Sequence, residues 1–161
     1  MVEPHVVTLR ATRADDLDEL FRIQLDPEAN RMAAFTPEDP SDRAAFDAHW
    51  RRLFAREDVD SRTVRCDGRI VGSVSRWIDA ESRQPEITYW IDRSEWGRGI
   101  ATRAVRLFLD SQPRPVRARA AADNAASVAV LGKLGFVEVG RDRGYANARR
   151  AEIDEIEFEL R

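Results

Sequence analysis

Apolar and polar residues change rhythm twice along this chain, dividing it into a helical first third, a run of strands, and an end in which helices and strands alternate. Val6-Val7-Thr8-Leu9-Arg10 predicts a first strand, and Thr12-Arg13-Ala14-Asp15 reads as a helix cap with acids in the opening turn. Leu17, Leu20, Phe21 and Leu25 recur at three- and four-residue steps, the spacing of an amphipathic helix that has to stop at Asp26-Pro27. Residues Pro27 to Ala34 suit a second short helix and Thr36 to Ser41 a loop. Ser41 or Asp42 then caps a helix with Phe46, Trp50, Leu53 and Phe54 on one face.

After Asp58 the period shortens to two. Thr63-Val64-Arg65-Cys66 and Arg69 to Val74 flank Asp67-Gly68, a dipeptide suited to the positive φ angles of a tight hairpin turn. Glu86 to Asp92 alternates as a third strand, with Glu86, Thr88 and Trp90 on one face and Ile87, Tyr89 and Ile91 on the other. A glycine turn leads into a helix whose Ile100, Ala101, Ala104, Val105, Phe108 and Leu109 share one side, ended by Pro113 and Pro115 before a strand at Val116 to Ala121. Asn124 starts another helix, with Val128, Leu131 and Leu134 inward and Gly135 closing it. Phe136 to Arg143 and Ile156 to Leu160 complete the strands. Ile153 lies an odd number of residues from Ile156, so either a bulge intervenes or the last strand begins late. This order predicts an α/β protein with a mixed sheet and helices on both faces.

The 161 residues fit one domain spanning 1–161, and 43% hydrophobic with 34% charged residues is an ordinary globular composition. No apolar run approaches the roughly 20 residues of a membrane span, and Met1-Val2-Glu3-Pro4 lacks the basic and apolar regions of a signal peptide, so no membrane partner is expected and a cytoplasmic location is the default. A net charge of −3 argues against a nucleic-acid partner. The lone Cys66 and two distant histidines form no zinc pattern, so no metal is expected. Between Arg98 and Arg119, however, six arginines (Arg98, Arg103, Arg106, Arg114, Arg117 and Arg119) face only Asp110.

That basic stretch begins at the most suggestive segment, Trp96-Gly97-Arg98-Gly99-Ile100-Ala101-Thr102-Arg103. Two glycines let a backbone approach a ligand closely, and amides from Arg98 to Thr102 at a helix start would cradle a pyrophosphate. Alone, such a turn equally suits a plain strand-to-helix connection. About 25 residues on lies a second motif, Asn124-Ala125-Ala126-Ser127 continuing to Lys133-Leu134-Gly135-Phe136.

Together the two motifs resemble the GNAT superfamily of acyl-CoA N-acyltransferases, with a cofactor turn Q/R-x-x-G-x-G/A and a later helix N-x-x-A/S-x-x-x-Y-x-K-x-G-F. Trp-Gly-x-Gly-Ile-Ala with Asn-x-x-Ser resembles the branch that includes the ribosomal-protein N-terminal acetyltransferases. The resemblance spans nearly the whole chain. It implies a mixed, mostly antiparallel sheet of about seven strands, and acetyl-CoA-dependent acetylation of a primary amine, on a small molecule or a peptide N-terminus. It further implies contacts to the cosubstrate from Trp90, Ile91, Trp96, Gly97, Arg98, Gly99, Ile100, Ala101, Thr102, Arg103, Asn124 and Ser127. Dimers are common in such proteins, which leaves a homodimer open.

Two positions depart from the pattern: Trp96 stands for the Gln/Arg, and Leu131 for the tyrosine that many members use to protonate the leaving thiolate. The resemblance then points to Ser127 for thiolate stabilisation and to Glu86 as a base acting through water. Cys66 reads as a packed strand residue. Without the tyrosine, an acyl-CoA sensor on the same fold is a competing reading. A dinucleotide-binding domain is another, although Arg103 occupies the place of a third glycine.

Overall fold

The computed structural model describes residues 5–161; Met1 to Pro4, read above for a signal peptide, lie outside them. Seven strands form one sheet in the order β1-β2-β3-β4-β5-β7-β6. They are β1 (Val7–Ala11), β2 (Asp60–Cys66), β3 (Arg69–Ile78), β4 (Pro85–Ile91), β5 (Val116–Ala121), β6 (Val137–Ala146) and β7 (Ala151–Leu160). The helices are α1 (Leu17–Gln24), α2 (Pro27–Ala33), α3 (Arg43–Ala55), α4 (Ile100–Leu109) and α5 (Ala125–Lys133). Every neighbouring strand pair is antiparallel except β4 with β5, which run parallel and meet at a single register pair, Glu86 with Arg117.

Local chemistry accounts for the boundaries. Asp67 (φ 51°) and Gly68 (φ 83°) make the hairpin turn between β2 and β3. Asp26, Asp42 and Asn124 each cap a helix by accepting a backbone N–H three residues on, from Ala29, Ala45 and Ser127. The first cap differs from expectation. Thr12 does not cap α1; instead a short 3-10 turn at Ala14–Asp16 precedes it, and the Asp16 carboxylate accepts from the Arg13 amide (2.9 Å) and the Arg10 guanidinium (2.7 Å). Asp16 is buried, so this pair ties α1 to β1 and, through Thr63, to β2.

The two faces of the sheet bury different things. On one side α4 and α5 cover a core that includes Val64, Val74, Ile87, Ile91, Ile100, Val105, Phe108, Leu131 and Phe158. On the other, Leu17, Leu20 and Ile23 of α1 and Trp50 of α3 pack with Ile70 and Trp90. The parity break at Ile153 is explained here. No bulge interrupts β7, which starts early, at Ala151, and sends Ile153 to a small cluster with Ala34, Ala121 and Ala146 while Ile156, Phe158 and Leu160 enter the main core. The irregularity falls on its partner β6, between Glu138 and Gly140.

Candidate active site

Beyond their one register pair, β4 and β5 diverge. Their main-chain groups then face a gap in the sheet. The Asp92 amide donates to the Val71 carbonyl at 2.7 Å, one step past the last β3–β4 register pair, Gly72 with Ile91. In an antiparallel ladder alternate residues bond to the same neighbour, so Trp90 also turns its N–H and C=O to β3, whereas Tyr89 and Ile91 turn theirs toward the gap. Of the two β4 residues expected to contact the cosubstrate, Trp90 has its amide engaged with β3, and Ile91 has its amide facing the opening. The Ile91 carbonyl is held by the Trp96 indole N–H at 2.9 Å, which fastens the end of β4 to the turn that follows. The Trp90 side chain points to the opposite face, among α1 and α3, where its buried indole N–H finds no partner among the described residues.

The turn itself is held by backbone conformation. Gly97 (φ 80°) and Gly99 (φ 74°) are both left-handed, and Gly99 precedes the first residue of α4. The first α-helical bond runs from the Arg103 amide to the Gly99 carbonyl at 3.1 Å. Among the described residues, the amides of Arg98, Gly99, Ile100, Ala101 and Thr102 have no protein acceptor, so this helix start presents free N–H groups and the positive end of its dipole. A Cβ built at Gly97 or Gly99 meets nothing within 4 Å, so the space over the turn is open. A pyrophosphate with a pantetheine arm entering the gap fits these residues.

The arginines expected to help are mostly committed elsewhere. Arg98 pairs with buried Glu95 at 3.2 Å, and Arg103 spends its guanidinium on the carbonyls of His5 (2.7 Å), Arg98 (2.9 Å) and Gly99 (3.4 Å). Arg103 therefore braces the glycine turn. Arg114 reaches the Arg161 carbonyl, Arg117 pairs with Glu159, and Arg119 bridges Glu86, Glu155 and Glu157. Three of the six arginines, Arg98, Arg117 and Arg119, are thus paired with carboxylates, and for Arg117 and Arg119 the partners come from the distant β7 or from β4.

Across the gap, Asn124 accepts the Ser127 amide at 3.2 Å and donates to the Met32 carbonyl at 3.2 Å, joining α5 to α2. Ser127 thus sits in the first turn of α5 with a half-buried hydroxyl. The sequence reading missed its partner, Tyr89, whose hydroxyl lies 2.7 Å from Ser127 Oγ. Burial pushes the Tyr89 phenol above its ordinary value, against the opposing effect of that bond. The available signal was a tyrosine on the inward parity of β4 between Ile87 and Ile91, since a buried hydroxyl needs a partner.

Glu86 lies at the joined end of the two strands, 5% exposed, with the Arg119 Nε 3.3 Å from its carboxylate. Burial raises its pKa and Arg119 opposes that without cancelling it. Tyr89 is three residues further along β4, about 10 Å at the strand rise, and on the other face. The segments Arg31 to Phe54 and Arg143 to Arg150 are partly knitted together, by Asn147 Nδ2 on the Thr36 carbonyl (2.8 Å) and the Ala148 amide on the Ala34 carbonyl (3.2 Å). A cleft of 610 Å³ opens between the end of α1 and the segment after β4, lined by Arg22, Ile23, Leu25, Asp26, Asp92, Arg93 and Ser94.

Cys66 is 1% exposed and its thiol is pushed up by burial, so it stays protonated. The fold does bring His5 to its neighbourhood, which spacing could not reveal. The ligand atoms of His5, Cys66 and Asp67 lie within 4.8 Å of one another, with His5 Nδ1 2.8 Å from the Asp67 carboxylate.

A mixed sheet split between two parallel strands, with a glycine-opened helix start on one lip and a capped helix bearing a hydroxyl on the other, defines an acyl-CoA-dependent N-acyltransferase. A family model described as an acetyltransferase (GNAT) domain matches residues 7–137, and the chain belongs to that family. It is an N-acetyltransferase, with acetyl-CoA as cosubstrate. The uncharacterized N-acetyltransferase p20 of Bacillus licheniformis is 27% identical over 163 residues, covering 96% of this chain and 92% of that protein. The putative ribosomal N-acetyltransferase YdaF of Bacillus subtilis (strain 168) is 29% identical over 161 residues, covering 91% and 87%. Among solved structures, Mycobacterium smegmatis RimJ in complex with CoA-disulfide matches with a TM-score of 0.81 at 26% identity, over 96% of this chain and 81% of that one. The dinucleotide-binding alternative falls, because a single parallel pair is not the doubly wound sheet it requires. No helix among the described residues is long and apolar enough to cross a membrane.

Proposed function

We propose that this protein transfers acetyl directly from acetyl-CoA to the α-amine of a peptide or small molecule, in a complex holding both substrates, with no acyl group passing through the protein. The observation that carries this reading is the gap between β4 and β5, with the free amides of Arg98 to Thr102 at one lip and the Ser127 hydroxyl at the other. Acetyl-CoA supplies the thioester. The amides, with Trp96 and Asn124 bracing the two lips, hold its phosphates and arm. The Ile91 N–H donates to the carbonyl oxygen as charge gathers there, and the Ser127 hydroxyl donates to the departing sulfur. Buried Cys66 offers no nucleophile.

The preference for an α-amine follows from proton demand. A lysine-like amine with a pKa of about 10.4 is neutral in only about one molecule in a few thousand at pH 7, an α-amine near 8 in about a tenth. Glu86, raised by burial but held by Arg119, serves as the base through intervening water, and such an arrangement suits the less demanding acceptor.

Calorimetry should detect acetyl-CoA and CoA but neither NAD nor ATP; binding of NAD alone would remove the reading. Thiol release should be faster with free peptide N-termini than with N-blocked peptides carrying lysine, and the reverse order would refute the α-amine assignment. A second reading, an acyl-CoA sensor, is favoured by fully buried Leu131, which offers no hydroxyl to the gap. It predicts binding without thiol release on any amine.

A further inference from the structure

Leu131 on α5 leaves the family's tyrosine position without a hydroxyl, yet a tyrosine reaches the same region from the opposite lip of the gap. Tyr89 Oη lies 2.7 Å from Ser127 Oγ, and among the described residues each hydroxyl has the other as its one hydrogen-bond partner. Both groups are held from behind. The Tyr89 ring packs against the main core, and Ser127 is fixed through its amide on Asn124 Oδ1.

We propose that Tyr89 is a positioning residue for thiol departure: its hydroxyl donates to Ser127 Oγ and thereby reserves the single hydroxyl hydrogen of Ser127 for the CoA sulfur. Each side chain owns one hydrogen, and the 2.7 Å contact uses one of the two. Were Ser127 the donor instead, the hydrogen left over would be the phenol's, and the serine would have none to offer the sulfur. A phenol is the stronger acid of the pair and therefore the better donor, and burial keeps it protonated. Its donation also polarises the serine O–H, strengthening the bond to a developing anion. In this step the C–N bond forms, the C–S bond breaks, and its electron pair leaves on sulfur. The nitrogen loses its proton to the base, the thiolate takes a proton from water, and Tyr89 and Ser127 keep their own hydrogens.

This inference rests on the Ser127 role proposed above, and the test separates the two. Tyr89→Phe, Ser127→Ala and the double variant are compared for kcat, KM for acetyl-CoA, melting temperature, and the pKa of enzyme-bound CoA thiol, read from thiolate ultraviolet absorbance. Tyr89→Phe should lower kcat about five- to tenfold, the worth of one net hydrogen bond, with KM within about twofold. The bound thiol pKa should rise by about 0.7 to one unit, the same effect read on the thiolate. The double variant should be no slower than Ser127→Ala, because Tyr89 acts only through the serine. Normal kcat and thiol pKa in Tyr89→Phe beside an impaired Ser127→Ala would overturn the Tyr89 role and leave Ser127 standing. Multiplicative losses, or a lower melting temperature with an unmoved thiol pKa, would likewise overturn it. A fully active Ser127→Ala with unchanged thiol pKa would overturn the serine reading itself.

Discussion

Gly97, Gly99 and Gly68 provide a controlled test of the glycine turn, because all three have positive φ and differ in what lies in front of them. Their φ values are 80°, 74° and 83°. Alanine at any of them forces a side chain into the left-handed region, at about 1–2 kcal/mol. None meets a serious clash: nothing lies within 4 Å of a Cβ at Gly97 or Gly99, and the nearest atom at Gly68 is the end of the Arg65 side chain at 3.9 Å. Each variant should therefore lower the melting temperature by a few degrees, taking about 2–4 °C per kcal/mol for a domain of this size. Only Gly97→Ala and Gly99→Ala put a methyl where a phosphate would approach the free amides. Losing one hydrogen bond to a charged group, worth about 1.5–3 kcal/mol, should weaken CoA binding by about tenfold or more. Gly68→Ala, in the β2–β3 turn, should bind CoA normally. Calorimetry and thermal melts decide it: if all three lose stability alike and all bind CoA like the parent, the turn is only a strand-to-helix connector.

The remaining predictions concern charges and braces. Burial alone would raise the Asp16 carboxyl, but Arg10, the Arg13 amide and Thr63 outweigh it and bring it from 3.8 down to about 2. A depressed acid adds stability that is present above about pH 4 and lost as pH falls through about 2, here about 2 kcal/mol, so acid unfolding followed by circular dichroism should be flatter between those values in Asp16→Asn. The same variant should cost about 2–4 kcal/mol at neutral pH by stranding Arg10; an unchanged denaturation midpoint would refute the anchoring role. Trp96→Phe removes the indole N–H from the Ile91 carbonyl and should raise KM for acetyl-CoA severalfold with little change in melting temperature, as steady-state kinetics would show. If Glu86 is the base, the rate falls as pH drops below its raised pKa, and Glu86→Gln should abolish that acid limb; a pH–rate profile of the same shape would refute the assignment.

Much of the fold was legible because it rests on local rules. Alternation placed β2 to β5, Asp67-Gly68 placed the hairpin, and the α4 stripe named the residues that α4 buries. Two expectations failed for long-range reasons. Thr12 lost the capping position because Asp16 is drawn inward by Arg10 and Thr63, from two other strands. The early start of β7 was hidden because Ile153 serves a small cluster on the opposite face, so a parity change looked like a bulge. The site divides the same way. Glycine spacing and Asn124 mark its two lips, but the Tyr89–Ser127 contact depends on how α5 is rotated over the gap, and the pairing of Arg117 and Arg119 depends on β7, about 40 residues on.

The single Glu86–Arg117 register makes the sheet two cohesive pieces, β1–β4 and β5–β7, joined at one end. The Tyr89 and Ile91 amides at the free end have no strand to bond, and a pantetheine arm would occupy the place of the missing one. On the function proposed above, acetyl-CoA would stand as a temporary eighth strand. Its arrival should slow deuterium uptake along both lips at once, and its departure as CoA should return them to the solvent, coupling each turnover to a cycle of zipping and unzipping in the protein's own backbone.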